Sequence, residues 1–231
     1  MKIYAIIVAG GTGSRFGSSV PKQFLDLCGR PVLCRTLRAF REALPASDIV
    51  TVISDPMRPF WLDLCAADGI DPGVVASGGD TRWQSVRSGL EALGQIDPES
   101  VVLVHDGARP LVEPSYISDI ACELLSSGAD GVIPAMPLTD SIRHMAPDGV
   151  SSESVDRSAY RAVQTPQAFQ ARKLAVAFRL PYDPAFTDEA SMRTAAGFTD
   201  IRLYPGRERN LKITRPVDLA IASYFLSEEN R

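Results

Sequence analysis

The residues with the clearest chemical meaning form a glycine-rich loop followed by two cations. Gly10, Gly11 and Gly13 come directly after an apolar run, and Arg15 and Lys22 follow them. Three glycines in four positions let the backbone approach a triphosphate and turn its N–H groups onto phosphate oxygens. An arginine fork and a lysine point charge together suit the charge that develops at phosphorus during nucleotidyl transfer. The pattern predicts a nucleotide-phosphate site, and an exposed turn with two surface cations is the alternative.

This loop differs from two familiar phosphate-binding motifs. A P-loop ends in Gly-Lys-Ser/Thr, and no such ending follows Gly13. The dinucleotide fingerprint would start at Gly11 and require glycine at position 16, which is Phe16. The loop is therefore glycine-rich without being a kinase-type or dehydrogenase-type loop.

Composition excludes several other classes of function. The net charge of −4 speaks against a broad nucleic-acid-binding face, so an anionic substrate needs locally placed cations. Two histidines exclude a histidine-rich metal site, and four cysteines without CxxC spacing indicate free thiols in a reducing cytoplasm. The sequence contains no recognisable signal peptide and no apolar run of membrane-spanning length. We therefore expect a cytoplasmic protein that binds neither membrane nor nucleic acid.

The elements that must position these residues follow an α/β pattern. Short β-branched runs alternate with helical periodicity, which predicts one α/β domain over residues 1–231 with a mostly parallel sheet. In such sheets, ligands sit beyond the carboxyl ends of the strands, where the glycine-rich loop lies. We predict strands over residues 3–8, 50–54, 73–76, 101–104, 131–135 and 201–204. We predict helices over residues 31–44, 81–93, about 114–126, 187–196 and from 216 onwards.

Residues 137–167 interrupt this alternation. They alternate polar and apolar residues, contain Pro137, Pro147 and Gly149, and have little helical periodicity. We predict an extended arm or hairpin that protrudes at about residues 137–160. Because such an arm buries little by itself, packing against a second subunit is a reasonable use for it, and a plain surface loop is the alternative.

Several motifs in a fixed order resemble those of a known enzyme family. Ala9-Gly10-Gly11-x-Gly13-x-Arg15 and Pro21-Lys22-Gln23 are similar to the opening of nucleotidyltransferases of sugar-nucleotide type. Five later segments narrow the likeness to the 2-C-methyl-D-erythritol 4-phosphate cytidylyltransferase family: His105-Asp106-Gly107-Ala108-Arg109-Pro110, Val155-Asp156-Arg157, Thr165-Pro166-Gln167, Thr187-Asp188-Glu189-Ala190-Ser191 and Asn210-x-Lys212-x-Thr214. The resemblance extends from residue 3 to about residue 225.

The resemblance implies a fold, a reaction and an assembly. The fold would be the Rossmann-like, mostly parallel sheet of the nucleotide-diphospho-sugar transferases, with an extended β-arm for dimerisation. The reaction would transfer CMP from CTP to 2-C-methyl-D-erythritol 4-phosphate with Mg²⁺ and release pyrophosphate, as in non-mevalonate isoprenoid biosynthesis. The assembly would be a homodimer with shared sites. Ribitol-5-phosphate cytidylyltransferase, a sugar-1-phosphate nucleotidyltransferase using another base, and a non-catalytic nucleotide sensor are the alternatives.

The resemblance also assigns residues to the nucleotide. Arg15 and Lys22 match a pair that stabilises the transition state at the α-phosphate. The backbone from Ala9 to Gly13 matches a triphosphate cradle, which includes Gly10 and Gly11. The cytidine-recognition segment would comprise Gly79, Asp80 and Ser85.

A further set of residues matches the acceptor side. Asp106 would face both the metal and the substrate, and Lys212 would orient the sugar phosphate and contact CTP phosphates. The remaining residues implied to contact methylerythritol phosphate are Arg109, Ser141, Arg157, Thr165 and Thr187. The resemblance places Arg157 on an arm that crosses to the neighbouring subunit, with a catalytic role there.

Several of these residues also have a purely local interpretation. Asp80 is a candidate N-cap of the helix that begins at residue 81, and Thr187 is a candidate N-cap of the next predicted helix. Asp106 could cap a turn, Arg157 could be a solvated charge, and Lys212 could protect a sheet edge.

Two positions depart from the family pattern. Ser141 stands where the family usually has threonine, so the hydroxyl is kept and the methyl is lost. Gly107 stands where many members have alanine, which predicts a slightly looser loop.

Overall fold

The computed structural model describes residues 1–11, 20–45 and 48–229 of the chain. The strands are β1 (Ile3–Val8), β2 (Ile49–Ile53), β3 (Val74–Ser77), β4 (Val101–Asp106), β5 (Gly131–Pro137), β6 (Arg143–Met145), β7 (Ser152–Ser154), β8 (Arg161–Val163), β9 (Gln167–Gln170) and β10 (Ile201–Pro205). The helices are α1 (Val32–Ala43), α2 (Arg58–Asp68), α3 (Arg82–Ala92), α4 (Pro114–Ser127), α5 (Ala171–Ala177), α6 (Glu189–Ala195) and α7 (Pro216–Glu229). Short 3₁₀ helices lie at Lys22–Phe24, Asp55–Met57 and Arg157–Ala159.

One mostly parallel sheet forms the centre of the protein. Its strand order is β10-β5-β9-β4-β1-β2-β3, and β8 also pairs with β5. Strands β1, β2, β3 and β4 run parallel, as do β5 and β10, whereas β9 lies antiparallel between β4 and β5. The prediction of an α/β fold with a mostly parallel sheet is confirmed. Val8 and Asp106 are register partners, so the glycine-rich loop and Asp106 emerge at the same edge of the sheet.

The core lies on both faces of this sheet because successive strand side chains point to opposite sides. Ile7 contributes to one buried cluster with residues of α1, α2 and α4. Ile6 contributes to a second cluster with residues of α3, α5 and α6. Strands β2 and β4 are buried along their whole length, which explains why they are apolar except for Thr51 in β2 and the His105-Asp106 end of β4. Helix α7 packs separately through Ala222 against Leu27, Val32 and Ile213.

Helix α2, helix α5 and strand β9 were absent from the prediction. In α2 only Trp61 and Cys65 are buried, which leaves too narrow an apolar stripe for a clear period. Strand β9 begins and ends with glutamine, at Gln167 and Gln170, although three of its four residues are buried. Residues 167–170, for which no element is predicted, therefore form a central strand of the sheet.

The predicted arm, at about residues 137–160, leaves the main sheet. Strands β6 and β7 form a two-stranded antiparallel sheet of their own, with Arg143 opposite Ser154. Large apolar side chains on this segment are exposed, among them Met145, Val150 and Tyr160. The chain then returns to the main sheet through β8, which pairs with the end of β5. Within the described ranges, no helix is both long and apolar enough to cross a membrane.

Candidate active site

Two adjoining cavities open at the carboxyl edge of the sheet. The larger one, about 710 Å³, is lined by Ala9 to Gly11, Lys22, and Gly78 to Arg82 with Ser85. The smaller one, about 280 Å³, is lined by residues that include Arg109, Thr165, Gln167 and Thr187. Three charged residues line both cavities, namely Arg82, Asp106 and Lys212. The geometry therefore offers one large and one small binding space that meet at a charged junction.

The glycine-rich loop is held against a second loop at the rim of the larger cavity. A Cβ on Gly10 would lie 3.3 Å from the Cα of Gly78, so the two backbones are in close contact and a larger residue would require one of them to move by a few tenths of an ångström. The buried Gln23 donates its amide N–H groups to the carbonyls of Ala9 (2.8 Å) and Gly11 (2.9 Å). The sequence places Gln23 in the Pro21-Lys22-Gln23 motif but does not predict that it positions the loop.

The opposite wall of the larger cavity is the turn that begins helix α3. The Ser85 hydroxyl accepts from the Gly79 N–H (3.1 Å) and donates to the carbonyl of Thr81 (3.0 Å). Thr81 is the N-cap, and its hydroxyl accepts from the Gln84 N–H (3.1 Å). The local interpretation of Asp80 as the cap is therefore wrong. Asp80 lines the larger cavity instead.

Asp106 lies at the centre of the junction and contacts three cations. Its Oδ1 accepts from Arg82 (2.6 Å), and its Oδ2 accepts from Arg109 (3.1 Å) and Lys212 (3.1 Å). Burial alone would raise the pKa of the Asp106 carboxyl, but Arg82, Lys212 and Arg109 together hold it well below its usual range. Asp106 is therefore a permanent anion that organises the cations around it.

Behind Asp106, a buried hydrogen-bond chain fixes the end of strand β4. The Thr165 hydroxyl accepts from the Asp106 N–H (3.0 Å) and lies 3.0 Å from Nδ1 of His105. Complete burial, with help from the Arg109 and Arg82 cations, lowers the pKa of His105 to about 3 against the attraction of Asp106. A neutral His105 therefore accepts the Thr165 proton at Nδ1 and directs Nε2 at the carbonyl of Arg109 (3.3 Å). This leaves the Thr165 oxygen only as an acceptor toward the smaller cavity.

The start of helix α6 forms another wall of the smaller cavity. Its N-cap is Asp188, whose carboxylate accepts from the Ser191 N–H (2.8 Å), so the interpretation of Thr187 as the cap is wrong. Thr187 lines the cavity instead. The first helical residue, Glu189, is buried and pairs with Arg82. Neither Glu189 nor Arg82 is among the predicted site residues.

The predicted site residues that remain divide into two groups. Ser141 and Arg157 lie on the exposed arm, where Arg157 donates to the carbonyl of Thr139, and neither is among the residues that line the two cavities. Gly13 and Arg15 lie outside the described residues. Gly107, for which a slightly looser loop is predicted, is closely surrounded, since a Cβ there would lie 2.9 Å from the Cβ of Ala9.

The donor set at the junction fits a magnesium ion only together with a phosphorylated ligand. No group of three or more His, Cys, Asp and Glu side chains within residues 1–11, 20–45 and 48–229 is arranged to hold an ion by itself. Mg²⁺ in nucleotide sites commonly takes one or two carboxylates plus phosphate oxygens and water. Asp106 supplies such a carboxylate, and the Lys212 side chain that contacts its Oδ2 (3.1 Å) is 41% exposed.

Comparison with known proteins gives one consistent family. The family model described as 2-C-methyl-D-erythritol 4-phosphate cytidylyltransferase matches residues 3–228. A protein of that name from Bacteroides fragilis is 42% identical over 223 residues, which cover 96% of this chain and 98% of the relative. Another from Porphyromonas gingivalis is 42% identical over 228 residues, covering 98% of each. The crystal structure of the Francisella tularensis enzyme of the same name matches with a TM-score of 0.81 at 29% identity, over 97% of this chain and 99% of that one.

Proposed function

Because the chain belongs to the 2-C-methyl-D-erythritol 4-phosphate cytidylyltransferase family, we propose that it transfers CMP from CTP to 2-C-methyl-D-erythritol 4-phosphate and releases pyrophosphate. The observation that carries the proposal is the pair of adjoining cavities, about 710 Å³ and 280 Å³, that share Arg82, Asp106 and Lys212. The larger cavity would hold CTP and the smaller one the acceptor, so the reacting phosphates would meet at the junction.

The reaction is an in-line displacement at the α-phosphorus of CTP. A phosphate oxygen of the acceptor forms the new P–O bond, and the bond to the β-phosphate oxygen breaks as pyrophosphate leaves. The attacking oxygen is already an anion near neutral pH, so no general base is needed. This agrees with a junction in which His105 is buried, neutral and hydrogen-bonded on both nitrogens.

Electrostatics at the junction favour bound phosphates. Arg82, Arg109 and Lys212 carry three positive charges, and Asp106 and Glu189 carry two negative ones, which leaves one net positive charge. Lys22 also lies on the wall of the larger cavity, together with Asp55 and Asp80, so the positive surplus is local to the junction and does not extend over that whole cavity. Preorganised charges of this kind stabilise the transition state without reorganisation during the reaction. We assign Lys22, Arg15 and Lys212 to the phosphates of CTP, with the backbone of Ala9–Gly13 as cradle.

We also assign the other predicted contacts to specific parts of the substrates. Gly79, Asp80 and Ser85 would recognise cytidine from the wall of the larger cavity. Arg109, Thr165 and Thr187 would contact the acceptor from the wall of the smaller cavity.

Magnesium would be held by Asp106 and phosphate oxygens. When bound, it would screen the repulsion between the reacting phosphates. Before CTP enters, the surplus positive charge around Asp106 disfavours a divalent cation, so we expect the ion to arrive together with the triphosphate.

The arm supports a homodimer as the working form. Ser141 and Arg157 lie away from the two cavities of their own chain, and the arm exposes Met145, Val150 and Tyr160 to solvent. We expect the protein to act in the cytoplasm as a pair of such chains. A second copy that packed on this arm would cover the apolar side chains, and its smaller cavity would receive the Ser141 hydroxyl and the Arg157 cation of the first copy.

Pyrophosphate release with CTP and Mg²⁺ tests the proposed reaction. We expect release with 2-C-methyl-D-erythritol 4-phosphate and little with ribitol 5-phosphate, because the family match favours the first acceptor. Release only with ribitol 5-phosphate would keep the chemistry and refute the acceptor. If folded protein that binds CTP releases no pyrophosphate with either compound, neither of them is the acceptor and the proposed reaction is refuted.

A further inference from the structure

We propose that the Arg82–Glu189 ion pair is a positioning device that orients Asp106 for the acceptor, so that both residues control acceptor use rather than CTP binding. The inference rests on the proposed function, since it concerns the smaller cavity as the acceptor site. It adds two residues, 107 positions apart in the sequence, to the machinery of the site.

The pair connects the first residues of two helices that face each other across the junction. Arg82 begins α3 and Glu189 begins α6. Each helix start is fixed independently by its own capping box, through Thr81 in α3 and Asp188 in α6. The backbones that carry the two charges are therefore held in place before the side chains pair.

The hydrogen bonds give the Arg82 guanidinium a single orientation. Its Nε donates to Oε1 of Glu189 (3.1 Å) and its Nη2 to Oε2 (2.8 Å), which is the two-point contact that a carboxylate makes with an arginine fork. The remaining Nη1 donates to Oδ1 of Asp106 at 2.6 Å. Glu189 thus fixes the plane of the guanidinium, and the guanidinium fixes one oxygen of Asp106.

The three cations on Asp106 differ in their freedom to move. The side chains of Arg109 and Arg82 are 9% and 26% exposed, whereas that of Lys212 is 41% exposed. Arg109 is also tied to the carbonyl of Asn210 (2.8 Å). Lys212 is therefore the cation most free to turn toward a phosphate. When it turns, the position that it leaves on Oδ2 of Asp106 faces the bound substrates and is open to phosphate-bound magnesium or to a hydroxyl of a polyol phosphate, while Arg82 and Arg109 keep the carboxylate in place.

Glu189 also holds the Arg82 guanidinium at the junction. Arg82 lines the larger cavity, but three of its five N–H groups donate to the carboxylates of Glu189 and Asp106, which opposes its movement toward a triphosphate. If Glu189 lost its charge, Arg82 would be held by Asp106 alone, and the pair could rotate away from the acceptor together. A lysine at position 82 would keep the charge but could not make the fork contact and the Asp106 contact at the same time.

Steady-state kinetics of Glu189→Gln and Arg82→Lys test the proposal. We expect kcat/KM for the acceptor to fall about ten- to a hundredfold in both variants, because misplacement of a positioning group by about 1 Å has effects of this size. KM for CTP should stay within about twofold of the wild-type value. The matched controls are Glu91→Gln and Arg87→Lys, which disrupt an exposed ion pair on the same helix (3.0 Å) and should leave all constants unchanged.

Three results would overturn the proposal. The first is acceptor kinetics in both variants that equal those of the controls. The second is a rise in KM for CTP as large as the effect on the acceptor, which would place Arg82 on the nucleotide. The third is loss of CTP binding in both variants, measured by calorimetry, which would make the pair a support of the fold. Inactivity of the wild-type enzyme with the acceptor would instead refute the proposed function.

Discussion

Gly107 is packed so tightly behind the phosphate loop that alanine should destabilise the protein. A Cβ at this position would lie 2.8 Å from Cδ1 of Leu33, 2.9 Å from the Cβ of Ala9 and 3.2 Å from the carbonyl oxygen of Val8. Leu33 is completely buried, and Ala9 has no rotatable side chain to move aside. The backbone of Gly107 is also held in place, because its N–H donates to the carbonyl of Val8 (2.9 Å) and its carbonyl accepts from the Thr36 hydroxyl (3.0 Å).

Two opposing effects set the size of the loss. Gly107 does not have a positive φ angle, so alanine could adopt its backbone conformation. If there were space for the Cβ, Gly107→Ala would stabilise the protein by about 0.4–1 kcal/mol, because alanine lowers the conformational entropy of the unfolded chain. Overpacking of a well-packed core costs about 1–3 kcal/mol. Since two of the contacts are shorter than 3.0 Å and the backbone is held on both sides, we expect the packing cost to win. The free energy of unfolding should fall by about 1–2 kcal/mol.

Urea denaturation of three variants measures this loss. Gly11→Ala is the control, because a Cβ on Gly11 meets nothing within 4 Å, and its free energy of unfolding should equal that of the wild type or exceed it by up to about 1 kcal/mol. Ala9→Gly combined with Gly107→Ala removes the 2.9 Å contact and should recover part of the loss. A Gly107→Ala variant as stable as the wild type would refute the reasoning.

Two further predictions concern charge at the site and at helix α7. Lys22→Ala should lower kcat by about a hundredfold or more if Lys22 stabilises the transition state, and a pyrophosphate assay that finds wild-type turnover would exclude that role. Asp218 accepts from the Thr214 N–H, the Thr214 hydroxyl and the Arg215 N–H, each at 2.7 Å, and these bonds outweigh burial to lower its pKa. Because the pKa of Asp218 is lower in the folded protein than in the unfolded chain, its ionised carboxylate stabilises the fold at pH values above the ordinary pKa of aspartate, and this stabilisation is lost as the pH falls. Asp218→Asn should therefore lower the free energy of unfolding by about 1 kcal/mol at pH 7 and by much less near pH 3.

The sequence predicted elements well where burial is simple and local. Strands β1, β2 and β4 are buried on both faces, so their apolar runs could be recognised directly. Strand β9 is equally central, but Gln167 directs its amide to Asp188 (2.9 Å) at the smaller cavity. A polar side chain that takes part in a site interrupts the apolar pattern of its strand, so that pattern does not predict the strand.

The residues of the candidate site likewise fall into those that the local sequence predicts and those that it does not. The glycine-rich loop and Asp106 could be predicted because each follows a strand, and parallel strands bring their carboxyl ends to one edge. Arg82 and Glu189 could not, because each looks like an ordinary charge in the first turn of a helix. Their meaning comes from the approach of two helix starts that are 107 residues apart, which no local spacing encodes. The buried carboxylate of Glu189 is the distinguishing observation, since a charge is seldom fully buried without a partner whose position matters.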